Sequence, residues 1–326
     1  MMNDLIARFS DQLTEAVEIG RKADLTPQHY DIRNVCIVGM GGSGIGGNLV
    51  QSLVNEKIKV PVTVVKDYFL PAHVNLHTLL ICCSYSGNTE ETLHAFEEGL
   101  RRDVKIVCIT SGGSLKALAE KAGVDCITIP SGMPPRACLG YAFVQQLYIL
   151  FHYRLIDLGF EVGLQNSVKM LNKQEDRIQK LAKKMAKKMN KKTPIIYTTT
   201  QLEAVAVRFR QQLNENAKVL TWHHVVPEMN HNELVGWRSK GKYAVVYLRT
   251  DEDFARNNTR WEINKKIIGD YCKTILEVEA KGNSFIEKVL YLVHLCDWIS
   301  FELAVLREVD PVEVKVIDFL KAELTN

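Results

Sequence analysis

The chain lacks a strong charge of either sign: 41 Lys and Arg against 38 Asp and Glu leave a formal +3 over 326 residues. A balance this close to zero gives no general electrostatic grip on nucleic acid. It also lacks CxxC pairs and Cys/His ligand spacing, so a structural zinc site is not expected. The eight cysteines stand at 36, 82, 83, 108, 126, 138, 272 and 296. Most fall in apolar strand-like runs and read as buried thiols of a reducing cytoplasm. The N-terminal MMNDLIARFSDQLTEAVEIG has no uninterrupted apolar stretch of the signal-peptide kind. No segment is expected to supply the roughly 18 apolar residues of a membrane span. What is present is an ordinary globular composition, 46% hydrophobic and 24% charged, which excludes a disordered chain. The length suits two domains, given about 100–200 residues for each.

From residue 33 onward the pattern is strand, turn and helix. NVCIVG (34–39), VPVTVVK (60–66), LLICCS (79–84), KIVCIT (105–110) and DCITIP (125–130) are short runs of consecutive apolar residues. Such strands are buried on both faces, as in a parallel sheet covered by helices. Long helical segments without strand signal follow, at about 137–158 and 164–190. In the second of these, lysines at 180, 183, 184, 187, 188, 191 and 192 alternate with Leu181, Met185 and Met189 at helical period, which reads as a solvated face opposite a buried one. Strand signals return at TPIIYT (193–198), VLTWHHVV (219–226), KYAVVYLR (242–249) and TILEVEA (274–280), with helices between them. The second half looks like a diverged copy of the first. The expected fold is α/β, two three-layer αβα sandwich domains over residues 1–155 and 156–326, each with a mainly parallel, doubly wound sheet.

Two turns carry chemistry. Gly39-Met40-Gly41-Gly42-Ser43-Gly44-Ile45-Gly46-Gly47 follows the first strand and opens a helix, so its amides can approach an anion without side-chain obstruction. The same spacing fits a dinucleotide fingerprint, and Asp67 at the end of the second strand leaves that reading open. The third strand ends in Ser84-Tyr85-Ser86-Gly87-Asn88-Thr89-Glu90-Glu91-Thr92. There Ser84, Ser86 and Thr89 can donate hydroxyl protons to phosphate oxygens, although an isolated turn of this kind also reads as a capping box. Two such turns at the carboxyl ends of parallel strands point to one monophosphate pocket.

GMGGSGIGG, SYSGNTEET, PSGMPPRACLGY (130–141), NENAK (214–218), PEMNHNELVGW (227–237) and DPVEVKVIDFLK (310–321) together resemble the bifunctional phosphoglucose/phosphomannose isomerases of the sugar isomerase (SIS) superfamily. The resemblance implies two SIS-like domains and interconversion of glucose 6-phosphate and mannose 6-phosphate with fructose 6-phosphate. It implies no cofactor and no metal. Glu215 matches the base that moves a proton between C2 and C1. His231 matches the ring-opening acid/base, supplied in this family across a homodimer interface. Arg136 matches the cation that steadies the enediolate, and Lys315 the lysine that assists ring opening or holds sugar hydroxyls. Gly42, Ser43, Ser84, Ser86 and Thr89 are the expected phosphate contacts.

Glu228 is expected to orient His231 through a hydrogen bond, and Trp222 and Trp237 to be core or interface aromatics. His223 and His224 alternate along a strand and should face opposite ways. Two places depart from the family pattern: Asn48 stands where an aspartate is expected, and Thr198-Thr199-Thr200 replaces a glycine-containing turn in the second half. The competing reading is a SIS-type sensor that binds a sugar phosphate without chemistry, but the roughly 30 residues before the first strand lack the length or basic face of a DNA-binding segment. The remaining partner expectations are a sugar phosphate substrate, no nucleic acid and no membrane.

Overall fold

The computed structural model describes residues 1–324. In chain order the helices and strands are α1 (Met2–Ala7), α2 (Phe9–Lys22), β1 (Asn34–Val38), α3 (Gly41–Val54), β2 (Val62–Val65), β3 (Thr78–Cys83), α4 (Glu90–Arg101), β4 (Lys105–Thr110), α5 (Gly113–Ala122), β5 (Asp125–Thr128) and α6 (Leu139–His152). They continue with α7 (Gly159–Met189), β6 (Thr193–Thr199), α8 (Glu203–Glu215), β7 (Trp222–Val226), β8 (Tyr243–Arg249), α9 (Ala255–Gly269), β9 (Ile275–Glu279), α10 (Phe285–Leu306) and α11 (Lys315–Leu324). The chain forms two compact units. One comprises Arg8–Met170 with Ser284–Ile286; the other comprises Met1–Ala7, Leu171–Asn283 and the residues from Glu287 onward.

The first unit is built on a five-stranded sheet in the order β2-β1-β3-β4-β5, every neighbouring pair parallel. β3 is buried at all six positions, which is why its sequence is uniformly apolar instead of alternating. Alternate residues Cys36, Val38, Leu80, Cys82, Ile106 and Cys108 face one layer and pack with Phe96 and Ala95 of α4 and Leu115 and Ala119 of α5. The adjacent Cys83 points the other way, where the Gln146 amide of α6 donates to its sulfur at 3.4 Å. Cys82 and Cys83 therefore cannot share a ligand, as the strand period dictates. A hydrogen bond with Cys108, together with burial, raises the Cys82 thiol. Burial also raises Cys83 and pushes Cys36 up to about 12, so these cysteines are inert packing groups.

In the second unit a four-stranded parallel sheet has the order β7-β6-β8-β9. This repeats the β2-β1-β3-β4 order of the first unit, with α8 following β6 as α3 follows β1. Its core joins Tyr197 and Tyr247 on neighbouring strands to Trp261 of α9, Met229 and Trp237. The lysines of α7 at 183, 184, 187 and 188 are exposed while Ile178, Ala182, Met185, Ala186 and Met189 are buried, so the helix presents the solvated face its period predicts.

α10 is a helix where the sequence predicts one, but it is more apolar than expected. It is long and apolar enough by composition to cross a membrane, and 78% of its most apolar window is buried inside the protein. The physical reason is a buried polar seam. Asp297 accepts from Arg208 at 2.5 Å and from Gln212 at 3.0 Å, and the Asn216 amide donates to Ser300 at 2.9 Å. The apolar run thus holds a core helix whose polar groups are matched by α8 and the residue that follows it.

Candidate active site

The two sequence-predicted turns of the first unit meet at the carboxyl end of its sheet. α3 starts at Gly41, whose φ of +49° is a left-handed conformation, and no side chain caps that helix start. Ser43 is buried, and its Oγ accepts the Tyr85 N–H at 3.3 Å. One hydrogen bond thus ties the glycine turn to the serine turn. A Cβ added at Gly42 would lie 2.9 Å from the Pro135 carbonyl oxygen and 3.6 Å from the Arg136 Cα. The glycine therefore admits the backbone that carries Arg136.

In the serine turn, the Ser84 and Thr89 hydroxyls are 2.8 Å apart, and Ser84 Oγ also accepts the Gly87 N–H at 3.1 Å. Because the amide occupies an acceptor site, Ser84 can donate to Thr89, leaving the Thr89 proton for a ligand oxygen. Ser86 is exposed and its Oγ accepts the Asn88 N–H at 3.2 Å. The capping-box alternative is not realised: no side chain caps α4, and Asn88 Oδ1 instead accepts the Ser114 N–H at 2.9 Å. Gly87 has φ +71°, and a Cβ there would fall 1.8 Å from the Gly112 carbonyl oxygen, so only glycine closes this turn.

Sequence reasoning missed a third turn and a tyrosine. Ser111 N–H and Oγ both donate to the Tyr85 carbonyl, at 3.0 and 2.6 Å. The Tyr85 hydroxyl accepts the Met133 N–H at 3.1 Å, which pins the segment leading to Pro134-Pro135-Arg136. Burial pushes the Tyr85 phenol up to about 12. Ser111-Gly112-Gly113-Ser114 after β4 carries the same glycine and hydroxyl signal as the first two turns and could have been found from it. Arg136 itself is 5% exposed, in a single 3-10 turn, Pro135–Ala137, begun by proline.

In the second unit, Glu215 is the last residue of α8 and half-buried. Lys218, at φ +55°, donates from Nζ to the Glu215 carbonyl at 2.5 Å and to the Glu313 carbonyl at 2.6 Å. Lys315 opens α11 two residues later, exposed, with its N–H donating to Glu313 Oε1 at 2.5 Å. The Lys218 ammonium therefore links Glu215 to Glu313, and Glu313 in turn holds the start of Lys315's helix.

His231 ends the 3-10 turn Glu228–His231 and is exposed. Glu228 does not orient it: its Oε1 accepts from the Asn232 amide at 2.8 Å. The 3-10 turn would stack residue 231 over residue 228, but the carboxylate is taken by Asn232, the residue that follows the turn. Glu233 accepts from the Tyr197 hydroxyl at 2.5 Å and from Trp222 Nε1 at 3.1 Å, and Trp237 Nε1 donates to the same hydroxyl at 3.1 Å. Trp237 is a core aromatic, whereas Trp222 is exposed. His223 lies 3.3 Å from Arg210, and His224 Nδ1 accepts the Val225 N–H at 2.8 Å, so the two rings have separate partners. Thr198 donates to the Leu248 carbonyl and Thr199 to Asp253, both at 2.9 Å. Those hydroxyls are spent within the fold, where the first unit has its glycine turn. Among the described residues, no cluster of three or more His, Cys, Asp and Glu side chains is placed to hold a metal ion.

The bifunctional phosphoglucose/phosphomannose isomerase of Caldicellulosiruptor bescii is 40% identical to this chain over 337 aligned positions, covering 100% of this chain and 99% of the relative. The chain belongs to the bifunctional phosphoglucose/phosphomannose isomerase family. The member from Aquifex aeolicus is 36% identical over 92% of each chain. The family described as bacterial phospho-glucose isomerase C-terminal SIS domain matches residues 178–324. A solved structure, hypothetical protein TT0462 from Thermus thermophilus, superposes with a TM-score of 0.78 at 16% identity, covering 98% of this chain and 89% of that one. The isomerase family and the α/β SIS fold agree with what the motifs implied.

Proposed function

We propose that the chain interconverts glucose 6-phosphate and mannose 6-phosphate with fructose 6-phosphate. The observation that carries the reading is end-to-end identity of 40% to a relative of that name, in a chain whose Ser43, Ser84 and Thr89 are drawn together at the carboxyl end of a parallel sheet.

In this reading Gly42, Ser43, Ser86 and Thr89 hold the phosphate through amides and hydroxyls, and Ser84, first expected to touch it, holds Thr89 in place instead. His231 takes the anomeric hydroxyl proton and returns one to the ring oxygen. Glu215 removes the C2 proton of the open-chain aldose and delivers it to C1 while the hydroxyl proton passes from O2 to O1, so a ketone replaces the aldehyde with no change in composition. Arg136 balances the enediolate charge, and Lys315 holds sugar hydroxyls or assists ring opening. Rotation about C2–C3 lets one carboxylate serve both epimers. The reaction uses no cofactor and no metal.

The working form is a cytoplasmic homodimer in which each His231 serves the partner's site. Its exposure, without a side-chain partner among the described residues, supports that role. Eight free cysteines support a reducing compartment. Coupled assays with each aldose phosphate in excess chelator test the reading; activity on neither sugar, or loss of activity on chelation, overturns it.

A further inference from the structure

We infer that Lys218 is a positioning residue for the isomerisation, setting the base Glu215 and the lysine Lys315 in register through their backbones; this rests on the function proposed above. Glu215 ends α8, so its carbonyl is among the last four that a helix leaves without an internal partner. The chain then turns. Ala217 N–H and Val219 N–H both return to the Leu213 carbonyl at 3.2 Å, and neither reaches Glu215. The ammonium of Lys218 takes that carbonyl instead, at 2.5 Å, in the place where a cation also complements the helix dipole.

The same nitrogen reaches across 95 residues of sequence to the Glu313 carbonyl at 2.6 Å. Glu313 in turn receives the Lys315 N–H on its side chain. α11 buries none of its residues, so polar tethers at its start matter more than packing in placing Lys315. Two other features hold the clamp. Arg307 Nε donates to the Ala217 carbonyl at 2.9 Å and Nη2 lies 3.4 Å from the Lys218 carbonyl. The left-handed backbone of Lys218, a conformation that non-glycine residues rarely adopt, aims its side chain back at the helix end. A carboxylate misplaced by about an ångström can lose on the order of 100-fold in rate, so a clamp on its helix end acts on turnover more than on binding.

The test uses the full-length protein and two variants, Lys218→Gln and Lys218→Arg. The glutamine keeps a polar side chain but loses the charge and the two-way reach; the guanidinium can still donate to two carbonyls. Lys218→Gln should lower kcat for fructose 6-phosphate by about 10- to 100-fold, with KM within about 3-fold and circular dichroism unchanged. Lys218→Arg should recover most of the loss. Hydrogen–deuterium exchange should quicken in a peptide covering 311–320 in the glutamine variant while peptides of β6 and β8 stay protected. Wild-type kcat in Lys218→Gln, unchanged exchange at 311–320, or equal damage from both substitutions overturns the inference. If Lys218→Gln loses protection everywhere, the clamp is a general stability element and the inference also fails. An inactive wild type, or a turning-over Glu215→Gln, sinks the proposed function instead, so the two failures are told apart.

Discussion

Ser84 and Thr89 face each other with their hydroxyl oxygens 2.8 Å apart, across the turn that joins β3 to α4. Ser84 is 1% exposed and already accepts the Gly87 amide, so in the proposed reading it holds Thr89 and the turn while Thr89 meets the phosphate. Thr89→Val keeps the shape and removes the hydroxyl. It should raise KM for fructose 6-phosphate about 10-fold, the scale of one hydrogen bond to a charged group, and weaken inhibition by inorganic phosphate in parallel. Ser84→Ala should also lower the thermal midpoint, because the Gly87 amide loses a buried acceptor at a cost of about 1–3 kcal/mol. Steady-state kinetics and thermal melts check both.

Gly87→Ala meets two obstacles at once: a φ of +71° and a Cβ 1.8 Å from the Gly112 carbonyl. The three turns around Tyr85 would have to move, so thermal stability should fall by at least about 2 kcal/mol and phosphate inhibition should be lost. Gly41→Ala, at φ +49° with open space around the missing Cβ, should cost only about 1 kcal/mol. Chemical denaturation of the two variants side by side measures the difference.

The strands of the first sheet are legible in the sequence because burial on both faces leaves one uniform signature, the apolar run, and the glycine turn is legible because it directly follows such a strand. The lysine face of α7 is legible from period alone. The Ser84–Thr89 pairing and the true partner of Glu228 are not, because a spacing allows several side-chain pairings and only the folded path of the turn selects one. α10 is legible as a helix, but the partners of its polar groups are not: Asp297 and Ser300 look like interruptions of an apolar run until Arg208, Gln212 and Asn216 are seen to match them. His231 and Lys315 emerge only through motif resemblance; their exposure gives neither a structural signature of its own.

Glu161 gives a pH-dependent contribution of known sign. Arg21 donates to it from Nε at 3.2 Å and from Nη2 at 2.7 Å, and the Tyr148 hydroxyl donates as well. The Arg21 hydrogen bonds hold its carboxyl below the ordinary value of 4.5 against the opposing effect of burial. A depressed folded pKa means stabilisation that is fully present above the unfolded value and is lost as pH falls through the folded one. Glu161→Gln should therefore destabilise the protein at pH 7 by about 1–3 kcal/mol, and the gap to wild type should shrink as pH falls below the ordinary carboxylate value of 4.5. Urea unfolding at a series of pH values follows it.

His231→Asn should leave the stability within about 0.5 kcal/mol of wild type, as for an exposed residue without a side-chain partner among the described residues. Turnover should fall at least about 100-fold, the usual worth of a positioned acid/base. Mixing this variant with Glu215→Gln should restore part of the activity if each His231 serves the partner's site. No recovery in the mixed dimers would assign the histidine to its own chain.

The most direct measurement is NMR of fructose 6-phosphate turnover in D2O by wild type and by Glu215→Gln. The wild type should form both glucose 6-phosphate and mannose 6-phosphate carrying deuterium at C2. The variant should bind the sugar phosphate within about 3-fold of wild type yet form neither product. Turnover by Glu215→Gln, or a wild type that yields neither aldose, would contradict the assignment of this carboxylate as the base.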